Sequence, residues 1–278
     1  MTGPKPHVSI IVPCYNEQDN IGNCVNQIDE AFRPTQLLHE ILLVNDGSTD
    51  ETLNRARSVH ESHPSVRVID LVRNCGKAVA LKEGVRRARG DLVAFFDADL
   101  QYAPGDLVEM VSRLNIGIDF VNGSRDYNGY GASRTAVSRL YNRLVRLLFR
   151  MPLRDSNCGI KVLKKEAAGA GTIFDYGLPL VVPLLKIRGF ESTEFPVTLH
   201  GRKNGESKYF RNGHFLGGSK NVRDITYHSI MLLNLIAHAP LESMRQWDDP
   251  PADVSGLYRR FAGRTHNPHG KNCCSKQT

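Results

Sequence analysis

Short apolar runs rich in β-branched residues alternate with longer amphipathic stretches through the first hundred positions of the chain. The short runs have the length of buried strands and lie at residues 8–13, 40–46, 66–71 and 91–97. The stretches between them predict helices at residues 18–32, 50–63 and 77–89. Strand and helix in regular alternation predict an α/β fold, in which helices flank a mostly parallel central sheet.

Polar residues follow three of these strands, at the points where the strands are expected to end. Ligands of such sheets bind beyond the carboxyl ends of the strands, so these residues are candidates for a functional site. They are Cys14-Tyr15-Asn16-Glu17, Asn45-Asp46-Gly47-Ser48 and Asp97-Ala98-Asp99.

The acidic pair at the end of the fourth strand has the spacing of a cation site. Asp97 and Asp99 are separated by one residue, so an extended backbone directs both carboxylates to the same side. Their mutual repulsion is relieved by a divalent cation, and Mg²⁺ or Mn²⁺ would keep its remaining positions for water and phosphate oxygens. Gln101 adds a neutral oxygen on that side. Taken alone, the pair could equally cap a helix that begins near Pro104.

Two further segments suit a nucleotide. An ionised Asp46 could accept a hydrogen bond from a base N–H group, although a plain strand-turn-helix with a turn at Gly47 and a cap at Asp50 would have the same sequence. The segment 73–77, Arg-Asn-Cys-Gly-Lys, offers a glycine turn, two cations and a helix N-terminus for phosphate or ribose. It lacks the pattern of a P-loop.

The predicted helix after Ser133 carries two adjacent stripes at helical spacing. We expect the apolar stripe to face the core, and the basic stripe to be either a solvated face or a surface for anionic lipid headgroups. The apolar stripe is Ala136, Leu140, Leu144 and Leu147, and the basic stripe is Arg139, Arg143, Arg146 and Arg150.

Charge and hydropathy limit the partners and the location. The 36 Lys and Arg residues exceed the 29 Asp and Glu residues, and this excess suits a polyanionic partner. No nucleic-acid-binding module is present, so nucleic acid is not expected. Residues 1–7 lack the apolar core of a signal peptide, and the longest apolar stretches are far below the ~20 residues that cross a bilayer. We therefore expect a cytoplasmic protein that is peripheral to a membrane.

Five motifs in order resemble glycosyltransferase family 2, and most closely its polyprenyl-phosphate branch, typified by dolichol-phosphate mannose synthases. The motifs are SIIVPCYNE, EILLVNDGSTDET, RNCGKAVALKEG, RARGDLVAFFDADLQYAP and VNGSR, and the resemblance covers about residues 7–210. It implies a GT-A (Rossmann-like) nucleotide-sugar-binding fold, a GDP- or UDP-hexose donor, a divalent metal ion and inversion at the anomeric carbon.

The resemblance also implies roles for individual residues. Asp97, Asp99 and Gln101 would hold the metal ion, and Arg202 would join the two aspartates in catalysis. Arg134 and Ser138 would contact the phosphate of the acceptor. Arg202 and Lys208 belong to the string Arg-x-x-Gly-x-Ser-Lys, which could otherwise be a solvated basic loop. The donor-binding residues would be Pro13, Tyr15, Glu17, Val44, Asp46, Lys77, Ala98, Arg125 and Lys208.

The acceptor is expected to be a lipid phosphate. Enzymes of this fold that use hydroxyl acceptors often place a carboxylate pair in the stretch 155–161, where this chain has only Asp155. A hydroxyl needs a general base, whereas a phosphate monoester is already anionic. We expect transfer of mannose or glucose to a polyprenyl (dolichyl or undecaprenyl) phosphate. The alternatives are transfer to a sugar hydroxyl of a glycan or glycolipid, and a non-catalytic nucleotide-sugar-binding protein.

The chain departs from the family pattern in places. Asn45 replaces the first aspartate of Asp-Asp-Gly-Ser, and residues 158–161 are Cys-Gly-Ile-Lys where mannose synthases commonly have Ser-Gly-Phe-Arg. Pro179 and Pro183 are expected to shorten the helix around them. We expect a catalytic domain at 1–212, an amphipathic and membrane-peripheral helix at 213–240, and a disordered tail at 241–278. Whether a partner with transmembrane helices anchors the chain is left open.

Overall fold

A computed structural model describes residues 5–126, 132–149, 151–170, 174, 178–201, 210–211, 214–215 and 275–276. The strands are β1 Val8–Cys14, β2 His39–Asp46, β3 Val66–Leu71, β4 Leu92–Phe95, β5 Phe120–Asp126, β6 Lys161–Lys164, β7 Ser192–Thr198, β8 Phe210–Arg211, β9 His214–Phe215 and β10 Ser275–Lys276. The helices are α1 Ile21–Phe32, α2 Thr52–Ser62, α3 Lys77–Arg87, α4 Pro104–Ser112, α5 Ala132–Phe149, α6 Lys165–Ala168 and α7 Leu178–Ile187.

The central sheet is mixed and mostly parallel, as the alternating pattern predicts. Its eight strands lie in the order β10-β3-β2-β1-β4-β6-β5-β7. The parallel pairs are β1 with β2 and β4, β2 with β3, and β5 with β7, whereas β6 runs antiparallel to both β4 and β5. The carboxyl ends of β1, β2 and β4 therefore meet at one edge of the sheet, where the candidate site residues follow.

Helices cover both faces of the sheet because the central strands are apolar on both sides. On one face, Ile11 and Leu42 pack with the buried residues of α3, α5 and α7. On the other face, Ile10 and Leu43 pack with those of α1 and α4. The predicted strands and helices of the first hundred residues are confirmed, and their ends differ by a few residues at most.

The expected orientation of α5 is wrong. Leu140, Leu144 and Leu147 are 60%, 40% and 68% exposed, while Asn142 and Val145 are buried. The basic residues Arg139, Arg143 and Arg146 are also exposed. Helical periodicity identifies stripes but not which stripe packs, and here the core takes the stripe that contains Asn142 and Val145. Leu140, Leu144 and Leu147 thus share one exposed face with Arg139, Arg143 and Arg146.

Helix α7 contains in its interior one of the two prolines that were expected to shorten it. Helix α7 continues through Pro183 to Ile187, so the prolines do not end it at that point. No helix in the described part of the chain combines the length and hydropathy that a membrane span requires. The helix predicted at 213–240 and the tail predicted at 241–278 lie outside the described residues, apart from the short strands β9 and β10.

Candidate functional site

The loops after β1 and β2 are joined by hydrogen bonds into one structural unit. The backbone N–H of Asn16 donates to Oγ of Ser48 over 3.1 Å, and the side-chain oxygen of Asn16 accepts from the backbone of Thr49 at 2.9 Å. The backbone N–H of Glu17 donates to Oγ1 of Thr52 at 2.8 Å. Asn16 has a φ of 55°, a conformation that asparagine tolerates better than most residues. The two predicted nucleoside-binding segments are therefore neighbours.

Asp46 ties the end of β2 to the N-terminus of α3. Its two carboxylate oxygens accept from the backbone N–H groups of Cys75 and Gly76, at 2.7 and 2.9 Å. The side chain is buried. A carboxylate at a helix N-terminus is stabilised by the unpaired N–H groups and the helix dipole. The sequence predicts phosphate or ribose contacts at this helix N-terminus, and in the structure the carboxylate of Asp46 accepts from its N–H groups. Base recognition by Asp46 stays a prediction.

Asn45 and Gly47 hold the neighbouring backbone. The amide nitrogen of Asn45 donates to a carboxylate oxygen of Asp70 at 2.7 Å, and its amide oxygen accepts from the backbone of Ser48. Gly47 has a φ of 63°, and a Cβ there would lie 2.2 Å from the carbonyl carbon of Arg73. The departure at position 45 is therefore matched to Asp70, because an aspartate would place two carboxylates at this distance.

A cavity of about 240 Å³ opens beside the carboxyl end of β4. Its wall combines charged side chains of several elements with the backbone of the loop before β6 and apolar residues of α3, β4 and α7. The lining residues are Lys77, Leu81, Phe95, Asp97, Gln101, Tyr102, Arg125, Asn157, Cys158, Gly159, Lys161 and Val181. The structure thus brings together four predicted site residues, namely Lys77, Asp97, Gln101 and Arg125.

Asp97 is the carboxylate that reaches the cavity. Its side chain is 27% exposed, and its Oδ1 lies 2.5 Å from Nζ of Lys77. On its other side the carboxylate rests against Gly159, where a Cβ would stand 2.9 Å from Oδ2. Asp97 is therefore held between a cation and a backbone position at which an added side chain would displace the carboxylate.

Asp99 is more buried and lies behind the cavity wall. Its Oδ1 accepts from the backbone N–H of Gln101 at 3.3 Å, and it is not among the lining residues. The N-cap of α4 is Ala103, so neither aspartate caps that helix and the capping alternative is wrong. Leu100, between Asp99 and Gln101, has a φ of 52°. A left-handed leucine is strained by on the order of 1 kcal/mol, and such strain is often concentrated at functional sites.

The two aspartates share an acidic environment with Glu17. Burial and then the charges of Asp99 and Asp97 raise the pKa of the Cys24 thiol. Burial, Cys24 and then Glu17 raise the pKa of the buried Cys14 thiol in the same region. Both thiols are therefore protonated and free of disulfide bonds. They serve as packing groups beneath the carboxylates.

The donor set fits a divalent cation of the Mg²⁺ or Mn²⁺ type. Among the residues that the structure describes, no group of three or more His, Cys, Asp or Glu side chains could hold a metal ion. Mg²⁺ is commonly held by one or two carboxylates together with substrate phosphates, and Asp97 supplies one such carboxylate at the cavity wall, while a metal role of Asp99 stays a prediction. The side-chain oxygen of Gln101, at the cavity wall, can add a neutral ligand.

Arg125 is paired within the protein. Its Nε and Nη2 donate to the two carboxylate oxygens of Asp155 at 2.6 and 2.8 Å, and both side chains are almost completely buried. Burial acts to raise the pKa of Asp155, but the hydrogen bonds and the charge of Arg125 outweigh it and hold that pKa below its usual value. The guanidinium lines the cavity while its charge is balanced by Asp155.

A second cation of the wall, Lys161, was not among the predicted site residues. The side chain is only 5% exposed, and its ammonium donates to the backbone carbonyl of Cys158. Burial lowers the pKa of Lys161 to about 8. The only signal for it in the sequence is that Lys161 stands where mannose synthases commonly have the arginine of Ser-Gly-Phe-Arg.

The other predicted site residues do not line this cavity or lie outside the described residues. Val44 and Ala98 are buried in the core, while Pro13, Tyr15 and Glu17 are partly buried at the end of β1. Ser138 is a partly buried residue of α5, and the backbone of Arg134 belongs to the same helix. Arg202 and Lys208 lie outside the described residues, so their roles stay predictions.

Comparison with known proteins establishes the family. The model of glycosyl transferase family 2 matches residues 9–171, more than half of the chain. The chain belongs to glycosyltransferase family 2, and its fold is the GT-A fold that the motifs implied.

Two relatives carry names that agree with the polyprenyl-phosphate branch. An undecaprenyl-phosphate 4-deoxy-4-formamido-L-arabinose transferase from Pseudomonas fluorescens is 31% identical over 208 residues, which cover 74% of this chain and 61% of the relative. A dodecaprenyl-phosphate galacturonate synthase from Rhizobium johnstonii is 33% identical over 213 residues, with 73% and 61% covered. The chain thus spans about three fifths of the length of these relatives, and neither is a dolichol-phosphate mannose synthase.

Solved structures support the fold. Glucosyl-3-phosphoglycerate synthase from Mycobacterium tuberculosis, in complex with Mn²⁺, uridine diphosphate and glucosyl-3-phosphoglycerate, superposes with a TM-score of 0.59 at 19% identity. The match covers 84% of this chain and 81% of the synthase. At this identity the likeness concerns the fold, and the bound groups are those of the synthase.

Proposed function

We propose that the chain is an inverting glycosyltransferase that moves a sugar from a nucleotide diphosphate sugar to the phosphate of a polyprenyl phosphate. The observation that carries the proposal is the state of Asp155. This residue is the only acid in the stretch 155–161, and it is buried in a bidentate ion pair with a lowered pKa. A carboxylate so engaged is a poor general base for a sugar hydroxyl.

An acceptor phosphate needs no base, because it is anionic at neutral pH. One of its oxygens attacks the anomeric carbon, a carbon–oxygen bond forms, and the bond from that carbon to the donor diphosphate breaks. The nucleoside diphosphate leaves with the electron pair, and no proton has to move. The residues of the cavity then act by position and charge, with Lys77 beside Asp97 and Arg125 fixed by Asp155.

The divalent ion would be held by Asp97 and Asp99, with Gln101 as an additional oxygen ligand. Bound there, Mg²⁺ or Mn²⁺ supplies positive charge that stabilises the leaving diphosphate. The Mn²⁺ and uridine diphosphate of the mycobacterial synthase are consistent with this assignment. The protein's own contribution is to hold Asp97 between Lys77 and Gly159.

The identity of the sugar and of the base is a finer proposal. We retain a hexose, mannose or glucose, from a GDP- or UDP-sugar. The names of the two relatives contain a formamido-arabinose and a galacturonate, so support from the relatives is for the lipid phosphate and not for mannose.

The exposed face of α5 supports a peripheral membrane location, for which we retain the cytoplasmic side as part of the proposal. Exposed leucines at i, i+4 and i+7 lie beside arginines with the same spacing. Apolar side chains that enter the headgroup region, next to cations that attract anionic lipids, are typical of interfacial helices. Such a face would hold the cavity close to an acceptor whose lipid tail lies in the bilayer.

The test is a donor and acceptor screen with the purified chain. Undecaprenyl phosphate in detergent is mixed with Mn²⁺ or Mg²⁺ and each of several UDP- and GDP-sugars, and products are identified by mass. We expect a polyprenyl-phosphate sugar, and no product from undecaprenol, which lacks the phosphate. Transfer only to glycan hydroxyls would contradict the proposal, and donor binding without hydrolysis or transfer would favour a non-catalytic protein.

A further inference from the structure

Lys161 lies in a position where a positive charge is unfavourable unless an anion binds it. The residue lines the cavity and is only 5% exposed, and its ammonium donates one hydrogen bond to the neutral carbonyl of Cys158. An ammonium has three donors, and a buried charge is costly without an anionic partner. The position therefore calls for an anion.

The nearest carboxylate cannot serve as that partner. Asp155 accepts from Nε, Nη2 and the backbone N–H of Arg125, at 2.6, 2.8 and 3.2 Å. It also accepts from the side chain of Asn142 and the backbone of Asn157, both at 3.2 Å. A carboxylate offers about four lone-pair positions, and five donors already use them. The charge of Lys161 acts on Asp155 from a distance without a hydrogen bond to it.

The charges around the cavity do not balance. The charged residues that line the cavity are three cations, Lys77, Arg125 and Lys161, and one carboxylate, Asp97, while Asp155 balances Arg125 from behind the wall. Lys77 pairs with Asp97 and Arg125 pairs with Asp155, so the remaining positive charge is that of Lys161. A cavity with one excess cation and unused N–H donors suits a phosphate.

The sheet places Lys161 between the two halves of the site. In the strand register Lys161 stands opposite Phe95 of β4 and Asn122 of β5. Asp97 follows β4 two residues later, and Arg125 is three residues beyond Asn122. An anion bound by Lys161 would therefore lie between the carboxylate predicted for the donor's metal ion and the arginine fixed by Asp155.

We propose that Lys161 binds the phosphate group of the acceptor and holds it beside the donor. The proposal rests on the proposed function and adds a residue that none of the motif-based roles includes. The acceptor is favoured over the donor diphosphate because Asn142 connects this side of the cavity to α5. That helix also carries Arg134 and Ser138, which are predicted to contact the acceptor phosphate.

The experiment compares three variants with the full-length wild-type chain. Lys161→Met removes the charge, Lys161→Arg keeps it, and Lys165→Met is the matched control. Lys165 also donates to a backbone carbonyl, that of Ala88, but does not line the cavity. The probes are a short, water-soluble prenyl phosphate, the corresponding prenol, and UDP, with affinity measured by calorimetry and KM measured where transfer occurs.

We expect Lys161→Met to weaken the binding of prenyl phosphate at least tenfold. The affinity for UDP and the KM of the donor should stay within twofold of the wild-type values. Lys161→Arg should restore most of the affinity, and Lys165→Met should match the wild type. The assignment would be overturned if the affinities for prenyl phosphate and UDP fell equally, if only the affinity for UDP fell, or if the affinity for prenyl phosphate were unchanged. Binding that depends on Lys161 without sugar transfer would retain this inference and contradict the proposed function. Sugar transfer by Lys161→Met with an unchanged acceptor KM would retain the proposed function and contradict this inference.

Discussion

Gly159 and Asp97 are in such close contact that a methyl group on the glycine would stand 2.9 Å from Oδ2 of the aspartate. Real Cβ atoms do not approach an oxygen to this distance, so any side chain at position 159 must displace the carboxylate. The loop before β6 and the end of β4 thus determine together where the predicted metal ligand lies.

The Gly159→Ala variant should test this relationship. We expect turnover to fall about tenfold to a hundredfold, because a shift of an ångström at a catalytic group has effects of that order. The matched control is Gly105→Ala in α4, where nothing lies within 4 Å of the added methyl group. That change should leave activity intact and stabilise the helix by about 0.5–1 kcal/mol. Equal activities of the two variants would disprove the proposed constraint on Asp97.

The metal assignment predicts a large loss of activity when either aspartate is replaced. Asp97→Asn and Asp99→Ala should each reduce metal-dependent transfer by about a hundredfold or more, since both remove charge at the predicted cation site. Calorimetric titration with Mn²⁺ and UDP should lose the Mn²⁺-dependent part of binding in both variants. A fully active Asp99→Ala variant would contradict the metal role of that residue.

The buried charge of Lys161 predicts a dependence of stability on pH. Its pKa falls from 10.5 to about 8 on folding, so between these values the unfolded chain binds more protons than the folded chain. The free energy of unfolding should therefore rise as the pH increases through this window. Below pH 8 the full cost applies, on the order of 3 kcal/mol.

The matched variant is Lys161→Met. It should be more stable than the wild type at pH 7, and this difference should shrink as the pH approaches 10.5. Urea denaturation at pH 7 and pH 9.5 measures both effects. A less stable Lys161→Met variant at pH 7 would mean that the hydrogen bond to Cys158 outweighs the cost of burial.

The hydrogen bond between Asn45 and Asp70 predicts that a second substitution at position 70 can restore the stability lost by a substitution at position 45. Asn45→Asp should destabilise the chain by about 1–2 kcal/mol, because it replaces a 2.7 Å hydrogen bond with two facing carboxylates. The double variant Asn45→Asp with Asp70→Asn restores one amide and one acid, so most of the stability should return. Thermal denaturation of the two single variants and the double variant measures the coupling. Additive losses would show that the two side chains act independently.

The exposed face of α5 predicts binding to anionic vesicles. Replacing Leu140, Leu144 and Leu147 by serine should reduce binding more than tenfold, because these side chains would enter the interface. Replacing Arg139, Arg143 and Arg146 by glutamine should also weaken binding, by about 1 kcal/mol for each charge at low salt.

Sedimentation with vesicles of mixed phosphatidylglycerol and phosphatidylcholine provides the measurement. Ile116→Ser is the control, because this residue is exposed on the loop between α4 and β5 and is remote from α5 in sequence. Unchanged sedimentation of both α5 variants would remove this face from the membrane proposal. The segment 213–240 would then be the next candidate.

The strands could be predicted because each is an apolar run that the sheet buries on both faces. The candidate loops followed from the same pattern, since ligands gather at the carboxyl ends of parallel strands. Long-range pairings were not visible in this way. They include the pairing of Arg125 with Asp155 and that of Asp46 with the N-terminus of α3, while the phosphate and base contacts expected of these two residues stay predictions.

The close packing around individual residues could not be predicted from the sequence pattern either. Nothing in a single sequence distinguishes Gly159, which must accommodate a carboxylate, from Gly105, which has free space around it. The orientation of α5 failed for a related reason. Its buried stripe contains the polar residue Asn142, whose partners Asp155 and Ser156 only meet it in the folded chain.

Asn142 gives α5 a mechanical connection to the cavity. From the inner side of the helix its side chain reaches Asp155 and the backbone and hydroxyl of Ser156, while leucines protrude from the outer side. These hydrogen bonds and the exposed leucines belong to one continuous helix. The packing of α5 and the placement of the carboxylate that orients Arg125 therefore depend on each other, and a change at Asn142 would disturb both.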